Sequence, residues 1–156
     1  MNYWLMKSEP DVFGVEHLKS RPDKTAPWDG VRNFQARNFM REMKRGDLAF
    51  FYHSSCAEPG VAAVVKIVKE AYPDHTSWDK KGEHYDARST PEKPYWYMVD
   101  VKLERQLKQP VLLTDIKACT ALKNMRLVQR GNRLSVMPIS EPEWNKILEL
   151  ERKKTK

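Results

Sequence analysis

The stretch Trp28–Met43 reads WDGVRNFQARNFMREM, and the rest of the chain is organised around the helix that it predicts. Its apolar residues recur at intervals of three and four, at Ala36, Phe39, Met40 and Met43. This spacing places them on one face of an amphipathic helix. That face would pack against the remainder of the fold, and Gly46-Asp47 would end the helical segment.

The same stretch also carries groups that could hold a flat ligand. Asn33, Arg37 and Arg41 share a polar face of the predicted helix, and Trp28 stands on the turn before it. An indole ring that stacks on a nucleobase contributes about 1–3 kcal/mol to binding. Structural roles remain open for both residues: Trp28 fits a core position as well as a stacking position, and Asn33 fits a simple N-cap.

Composition favours an anionic partner. The chain has 156 residues, which suits a single domain over 1–156, with a formal net charge of +7 and a pI near 9.4. This charge favours an anionic partner, most often nucleic acid, and it is equally consistent with a basic soluble protein without such a partner. The basic residues of 152–156 are expected to form a solvated C-terminal tail.

The expected location is the cytoplasm, or the nucleus if the source is eukaryotic. Cys56 and Cys119 lack CxxC spacing and are expected to be reduced thiols. No apolar run approaches 18 residues, and the first ten residues lack the pattern of a signal peptide. We therefore expect no membrane partner, and we expect a monomer.

Apolar runs between turn residues predict an α+β fold. Strands are expected at Tyr3–Lys7, Leu48–His53, Gly60–Lys69, Tyr95–Leu103 and Leu134–Pro138. A short helix is expected near Val12–Leu18 and a loop at Thr25–Gly30. Leu112–Met125 is expected to be helical in parts, with an N-cap at Thr114, and a last helix is expected after the capping box Ser140–Glu143. Five or six strands would form a small mixed barrel or curved sheet with helices outside.

Most common catalytic motifs are missing from the sequence. It contains no phosphate-binding glycine motif and no GxSxG elbow, and its four histidines lack the paired spacing of metal ligands. Cys56 and His53 could pair as nucleophile and base, but nothing marks a third, orienting group. We therefore expect no catalytic residues, no metal and no cofactor. A nucleotide hydrolase that uses Glu9, Asp74 or His53 is the enzymatic alternative.

Long motifs in the chain resemble the EVE domain family. The matching stretches are YWLMKSEP (Tyr3–Pro10), WDGVRNFQARNFM (Trp28–Met40), Gly46–Ser54, EAYPD (Glu70–Asp74) and RLSV-x-P (Arg133–Pro138). They follow the order of the family and span nearly the whole chain. The resemblance implies a PUA-like fold, a small mixed β-barrel with flanking helices, which agrees with the α+β prediction.

The EVE family is also similar to YTH domains, which hold a methylated adenine of RNA in an aromatic cage. By this similarity Trp28 would form the first wall of the cage, and Lys7-Ser8, Asn33 and Ser54 would surround the base. A second wall would come from the long irregular segment Ala71–Lys93, with Trp78 and Tyr85 as the two candidates. Loops of this length are commonly functional.

The resemblance implies a non-enzymatic reader of a modified base, either a modified cytosine or a methylated adenine, in DNA or RNA. The base-binding candidates are Lys7, Ser8, Glu9, Trp28, Val31, Arg32, Asn33, Tyr52, His53, Ser54, Tyr72, Pro73, Asp74, Trp78 and Tyr85. The candidates for phosphate contact or the pocket rim are Arg37, Arg130, Arg133 and Ser135. A general PUA-type RNA-binding module without modification specificity is the alternative.

Overall fold

A computed structural model, which describes residues 1–154, shows a mixed six-stranded sheet. Its strands are β1 (Tyr3–Ser8), β2 (Thr25–Pro27), β3 (Leu48–His53), β4 (Gly60–Pro73), β5 (Tyr97–Leu112) and β6 (Val136–Ile139). Their spatial order is β2-β5-β4-β3-β1-β6. Strands β1 and β3 run parallel, and every other neighbouring pair in this order is antiparallel.

Short helices and one long helix cover the two faces of the sheet. The α-helices are α1 (Pro10–Phe13), α2 (Val15–Lys19), α3 (Phe34–Glu42), α4 (Leu113–Ala118) and α5 (Glu141–Lys154). Single 3₁₀ turns lie at Pro22–Lys24, His75–Trp78, Thr120–Leu122 and Arg126–Val128. The α+β prediction with about six strands and flanking helices is confirmed. The sheet is open, because β2 and β6 are its two edges.

The alternation of side chains in the central strands supplies two separate cores. In β3, Ala49 and Phe51 join the cluster under α3, whereas Phe50 and Tyr52 join the cluster under α5. Successive residues of a strand point to opposite faces, so a continuous apolar run such as LAFFY requires cover on both sides. Helices α2 and α3 cover one face, and helices α4 and α5 cover the other.

Helix α3 forms where its apolar spacing predicts it. Ala36 and Met40 are fully buried against the sheet, and Asn33 caps the helix by accepting a hydrogen bond from the Ala36 amide at 2.9 Å. The helix ends at Glu42, because Met43 already has an extended backbone (ψ 141°). The side chain of Met43 stays buried in the same core.

Helix α5 begins with the predicted capping box. The Ser140 hydroxyl accepts from the Glu143 amide at 3.3 Å, and the Glu143 carboxylate accepts from the Ser140 amide at 2.9 Å. The ring of Trp144 stacks on Phe50 at 3.9 Å, which fixes the helix on the sheet. Residues 152–154 of the predicted tail continue this helix, and residues 155–156 lie outside the described part of the chain.

Several predicted boundaries were wrong for identifiable reasons. The loop predicted at Thr25–Gly30 contains strand β2, which pairs with β5. Strands β4 and β5 are longer than predicted, because their mutual pairing continues past the apolar runs through four register shifts. Leu112, not Thr114, occupies the N-cap of α4. No helix within residues 1–154 is long and apolar enough to cross a bilayer.

Candidate functional site

A cavity of about 600 Å³ opens where β1 ends and α3 begins. Its walls come from the end of β1, helix α1, the segment between β2 and α3, the long irregular loop and the residue before β6. The lining residues are Lys7, Ser8, Glu9, Val12, Phe13, Arg21, Pro27, Trp28, Asp29, Gly30, Val31, Arg32, Asn33, Glu83, His84 and Ser135. With Arg21, which follows α2, six separate parts of the sequence therefore meet at one concave surface.

Sheet pairing positions the floor of this cavity. The amide of Lys7 donates to the Ser135 carbonyl at 2.8 Å, which brings the start of β6 beside the end of β1. On the other side of β1, the Ser54 amide donates to the Ser8 carbonyl at 3.0 Å. The parallel pairing of β1 with β3 thus carries both strand ends to the same edge of the sheet.

The buried carboxylate of Asp74 holds the segment between β2 and α3 in place. One oxygen, Oδ2, accepts from the Gly30 amide at 2.9 Å and from Arg32 Nη1 at 3.0 Å. The other, Oδ1, accepts from the amide and the hydroxyl of Thr76. Burial alone would raise the pKa of Asp74, but these hydrogen bonds outweigh it and hold the pKa below its usual value.

Arg32 and Asp74 together form a clamp that joins the segment between β2 and α3 to the long loop. The Nε of Arg32 donates to the His84 carbonyl at 2.8 Å and its Nη2 to the Thr76 hydroxyl at 3.2 Å, in addition to the ion pair with Asp74. The guanidinium also lies over the ring of Trp96, 5.5 Å from its centroid. Arg32 therefore lines the cavity with donors that are already engaged within the protein.

Trp28 serves the core and the cavity wall together. Only 5% of the residue is exposed, and its ring meets Phe51 and Phe13 edge-on at 5.0 and 6.2 Å. Its amide donates to the Val99 carbonyl at 2.7 Å. Within residues 1–154 its indole N–H has no hydrogen-bond partner, yet this atom is not sealed from solvent. The structure is therefore compatible with both interpretations of Trp28 that the sequence left open, as a core residue and as a wall of the site.

Lys7 is a half-buried cation that lines the cavity from the end of β1, next to Tyr52. No carboxylate of the described residues lies within 4 Å of its ammonium group, which sits 5.8 Å from the centroid of the Tyr52 ring. Burial lowers the pKa of Lys7, because the charged form loses hydration there. An anionic or hydrogen-bond-accepting ligand would relieve that cost.

Three carboxylates also belong to the lining of the cavity, those of Glu9, Asp29 and Glu83. Partial burial and the neighbouring Asp74 carboxylate raise the pKa of Asp29, while His84 and Arg32 act in the opposite direction. The cavity thus offers both hydrogen-bond acceptors and donors to a ligand.

His84 forms the wall contributed by the long loop. Its ring packs directly on Gly30, where a Cβ atom would lie 2.7 Å from His84 Nε2. Gly30 also has a φ of +82°, which side-chain-bearing residues rarely adopt. Glycine is therefore required here both by the backbone conformation and by the approach of the imidazole.

Comparison with known proteins assigns this arrangement to a family. The EVE domain model matches residues 2–150 of the chain. The chain belongs to the EVE domain family.

Relatives of this EVE domain include both eukaryotic and bacterial proteins. Thymocyte nuclear protein 1 of Danio rerio is 51% identical over 165 residues, which cover 95% of this chain and 71% of the relative. The crystal structure of human THYN1 in complex with 5-methylcytosine-containing DNA superposes with a TM-score of 0.93, at 48% identity, over 97% of this chain and 98% of that chain. A Pseudomonas syringae protein superposes with a TM-score of 0.92, at 49% identity, over 96% of this chain and 99% of that chain.

Eight of the residues expected at the site line the cavity of this EVE domain: Lys7, Ser8, Glu9, Trp28, Val31, Arg32, Asn33 and Ser135. Asp74 lies behind the lining and holds it. Tyr52, His53 and Ser54 lie at the adjacent strand end, where Tyr52 is buried in the opposite core and burial raises its pKa to about 12.

The remaining candidates lie outside the lining. Tyr72 and Pro73 end β4, where the Tyr72 hydroxyl donates to Asp100. Trp78 and Tyr85, expected to supply the second wall, do not line the cavity, and His84 and Glu83 are the loop residues that do. The rim candidates Arg130 and Arg133 are exposed, and they precede the lining residue Ser135 in the sequence. Another rim candidate, Arg37, donates to the Tyr95 carbonyl at 2.8 Å.

Eight further residues line the cavity without having been predicted from the sequence: Val12, Phe13, Arg21, Pro27, Asp29, Gly30, Glu83 and His84. Asp29 and Gly30 lie within Trp28–Met43, and the glycine, as a turn-forming residue, was the one available signal in the sequence. No group of three potential metal ligands occurs among the residues that the structure describes.

The contact between Gly30 and His84 can be tested with a matched glycine. Gly131→Ala carries only the cost of a positive φ, about 1–2 kcal/mol, because its φ is +80° and nothing lies within 4 Å of the new Cβ. Gly30→Ala adds the collision with His84, so we expect a further loss of about 1–3 kcal/mol in urea unfolding.

The double variant Gly30→Ala with His84→Ala separates the two costs. Removal of the imidazole should return the loss to about that of Gly131→Ala. Equal losses for the two single glycine variants would show that His84 does not press on Gly30.

The stability of the domain should depend on pH through His53. Its Nε2 accepts a hydrogen bond from the Val15 amide at 3.2 Å, which requires the neutral ring, and burial lowers the pKa of His53. The unfolded chain, with an ordinary pKa of about 6.5, then binds the proton more readily than the folded one. The free energy of unfolding should therefore fall as the pH drops below about 6.5.

Urea unfolding at about pH 7.5 and about pH 5.5 checks this dependence. His53→Gln keeps an acceptor that does not titrate, so it should lose less stability at the lower pH than the natural protein. His75→Gln, at an exposed position, serves as the control and should behave like the natural protein. Identical losses for His53→Gln and the natural protein would contradict the expectation.

Proposed function

We propose that this EVE domain is a non-enzymatic DNA-binding module that accepts one modified cytosine, extruded from its strand, in the cavity beside Trp28. The observation that carries the proposal is the cavity itself: an indole wall and an unpaired lysine meet in a space of about 600 Å³. The human relative solved with 5-methylcytosine-containing DNA supports the choice of base, since it is 48% identical to this chain.

The size and the apolar walls of the cavity suit a nucleobase. Small-molecule sites typically measure about 300–1,000 Å³ and combine apolar walls with a few polar groups. Here Trp28, Phe13 and Val31 provide the apolar surface. Contact of such side chains with a C5-methyl group is a common way to read that group, so they would favour the methylated base over cytosine.

The polar groups of the cavity complement the edge of a cytosine. A carboxylate is the usual acceptor for the cytosine N4 amino group, and Asp29, which lines the cavity, would provide one. The ammonium group of Lys7 would donate to O2 or N3 of the same base. Thymine presents an oxygen instead of the amino group, so Asp29 would oppose it.

Surface charge would hold the flanking strand. Arg21 lines the cavity mouth, and the exposed Arg130 and Arg133 precede the lining residue Ser135. Arginines at these positions can bind phosphates on either side of an extruded nucleotide. Extrusion costs only a few kcal/mol, which the contacts within the cavity would offset.

The non-enzymatic part of the proposal draws on His53. Its Nε2 accepts the hydrogen bond from the Val15 amide, so that nitrogen does not activate the Cys56 thiol. Asp74, the other acid considered for hydrolysis, is fully buried and engaged by four donor groups. These contacts favour a binding module over a hydrolase.

Fluorescence anisotropy with matched oligonucleotides tests the proposal. Duplexes of one sequence would carry a single cytosine, 5-methylcytosine or thymine, and an RNA of the same sequence would be measured at the same salt concentration. We expect 5-methylcytosine to bind most tightly and thymine most weakly. Equal affinities throughout, with a steep dependence on salt, would contradict the proposal and favour a general RNA- or DNA-binding module.

The role of Lys7 is tested by Lys7→Met, which keeps the apolar stem. A hydrogen bond to a charged group contributes about 1.5–3 kcal/mol, so affinity for 5-methylcytosine DNA should fall roughly tenfold or more. Lys117→Met is the matched control, because Lys117 is exposed on α4, at the opposite face of the sheet. Equal effects of the two substitutions would assign Lys7 to general charge alone.

A further inference from the structure

We infer that Phe34, Arg37 and Arg88 form a second nucleic-acid contact, which takes the nucleotide next to the one held in the cavity. We call these three residues the flank patch. The inference rests on the proposed function, since it needs a neighbouring nucleotide that is already held beside Trp28. Of the residues that the sequence predicted for the site, only Arg37 belongs to the flank patch.

Phe34 is an aromatic residue displayed at the surface. It is the first residue of α3, directly after the cavity residue Asn33, and 45% of it is exposed. Its ring stacks on the buried Trp96, with centroids 4.7 Å apart and planes inclined by 21°. The Trp96 indole is itself fixed by donation to the Asp86 carboxylate at 2.8 Å. The ring of Phe34 is therefore both exposed and held in one orientation.

The guanidinium groups of two arginines lie over this ring. The guanidinium carbon of Arg37 lies 4.8 Å from the Phe34 centroid, and that of Arg88 lies 5.8 Å from it. Arg37 is anchored on the Tyr95 carbonyl, and Arg88 on the two oxygens of Asp86. The Arg88 side chain nevertheless keeps 58% of its surface exposed. Both cations are held in place before any ligand arrives.

The flank patch is rigidly connected to the cavity. Arg32, which is clamped to Asp74, lies over the same Trp96 ring that supports Phe34. Asn33 joins the two sites through the backbone, since it lines the cavity and caps α3. A nucleic acid strand that leaves the cavity past Asn33 would therefore reach the neighbouring residue Phe34.

The chemistry of the flank patch fits a nucleotide. Bases stack on aromatic rings and on arginine planes, and they do so with little dependence on their identity. A phosphate next to the stacked base would find a cation in Arg37 or Arg88. The flank patch should therefore add affinity for DNA without adding sequence preference.

A double-mutant cycle between protein and DNA tests this stacking. The protein is the natural chain or Phe34→Ala, and the DNA carries 5-methylcytosine with normal neighbours, with an abasic site on its 5′ side, or with one on its 3′ side. Phe34→Ala should weaken binding to the normal duplex roughly 5- to 150-fold. The weakening should disappear when the abasic site replaces the base that stacks on Phe34.

Further variants separate stacking from folding and from charge. Phe34→Tyr keeps the ring and should bind as the natural protein does, whereas Phe34→Leu keeps cover on Trp96 and should bind weakly. Arg37→Ala, within the flank patch, should reduce the slope of affinity against salt by about one, while Phe34→Ala should leave that slope unchanged. The free nucleoside 5-methyl-2′-deoxycytidine should bind equally to the natural protein and to Phe34→Ala.

The possible outcomes point to different conclusions. A loss in Phe34→Ala that is the same with all three duplexes, or no loss, would overturn the inference while the proposed function stands. Failure of the natural protein to bind both the nucleoside and the 5-methylcytosine duplex would overturn the proposed function, and this inference with it. Wild-type affinity of Phe34→Leu would show that the ring itself is not required.

Discussion

The cavity depends on one buried carboxylate, that of Asp74. It lies at the end of β4 and binds the Gly30 amide, the Arg32 guanidinium and Thr76 together. A buried charge is unfavourable unless it is paired and hydrogen-bonded, and Asp74 meets this condition with donors from both segments that form the cavity wall. The same ion pair brings Arg32 to the His84 carbonyl, and so positions the loop that closes the far side.

This arrangement explains why the site can be both rigid and open. Trp28 packs its ring edges against Phe13 and Phe51, so the wall of the cavity is an extension of the hydrophobic core. Lys7 is the contrasting element, because burial lowers its pKa and no described carboxylate compensates its charge within 4 Å. The cavity therefore combines an aromatic wall with an uncompensated cation, the two features on which the proposed function rests.

Local pattern and family resemblance predicted those parts of the site that are continuous in sequence. The 3.6-residue spacing identified α3, and the matching motifs identified Lys7, Trp28, Asn33 and Ser135 as neighbours. The far wall could not be predicted, because His84 reaches Gly30 only through the Asp74–Arg32 clamp, which links residues 42 positions apart. Charge alone could not distinguish an arginine that binds phosphate from Arg32, whose donors bind Asp74, Thr76 and the His84 carbonyl.

The most direct test of the account is the position of the modified base in a crystal structure of this chain with a 5-methylcytosine duplex. The account predicts that the base leaves the helix and lies against Trp28, within reach of Lys7 and Asp29, while the Asp74–Arg32 ion pair remains intact. A base that stays stacked in the duplex, with protein contacts only to phosphates, would contradict it.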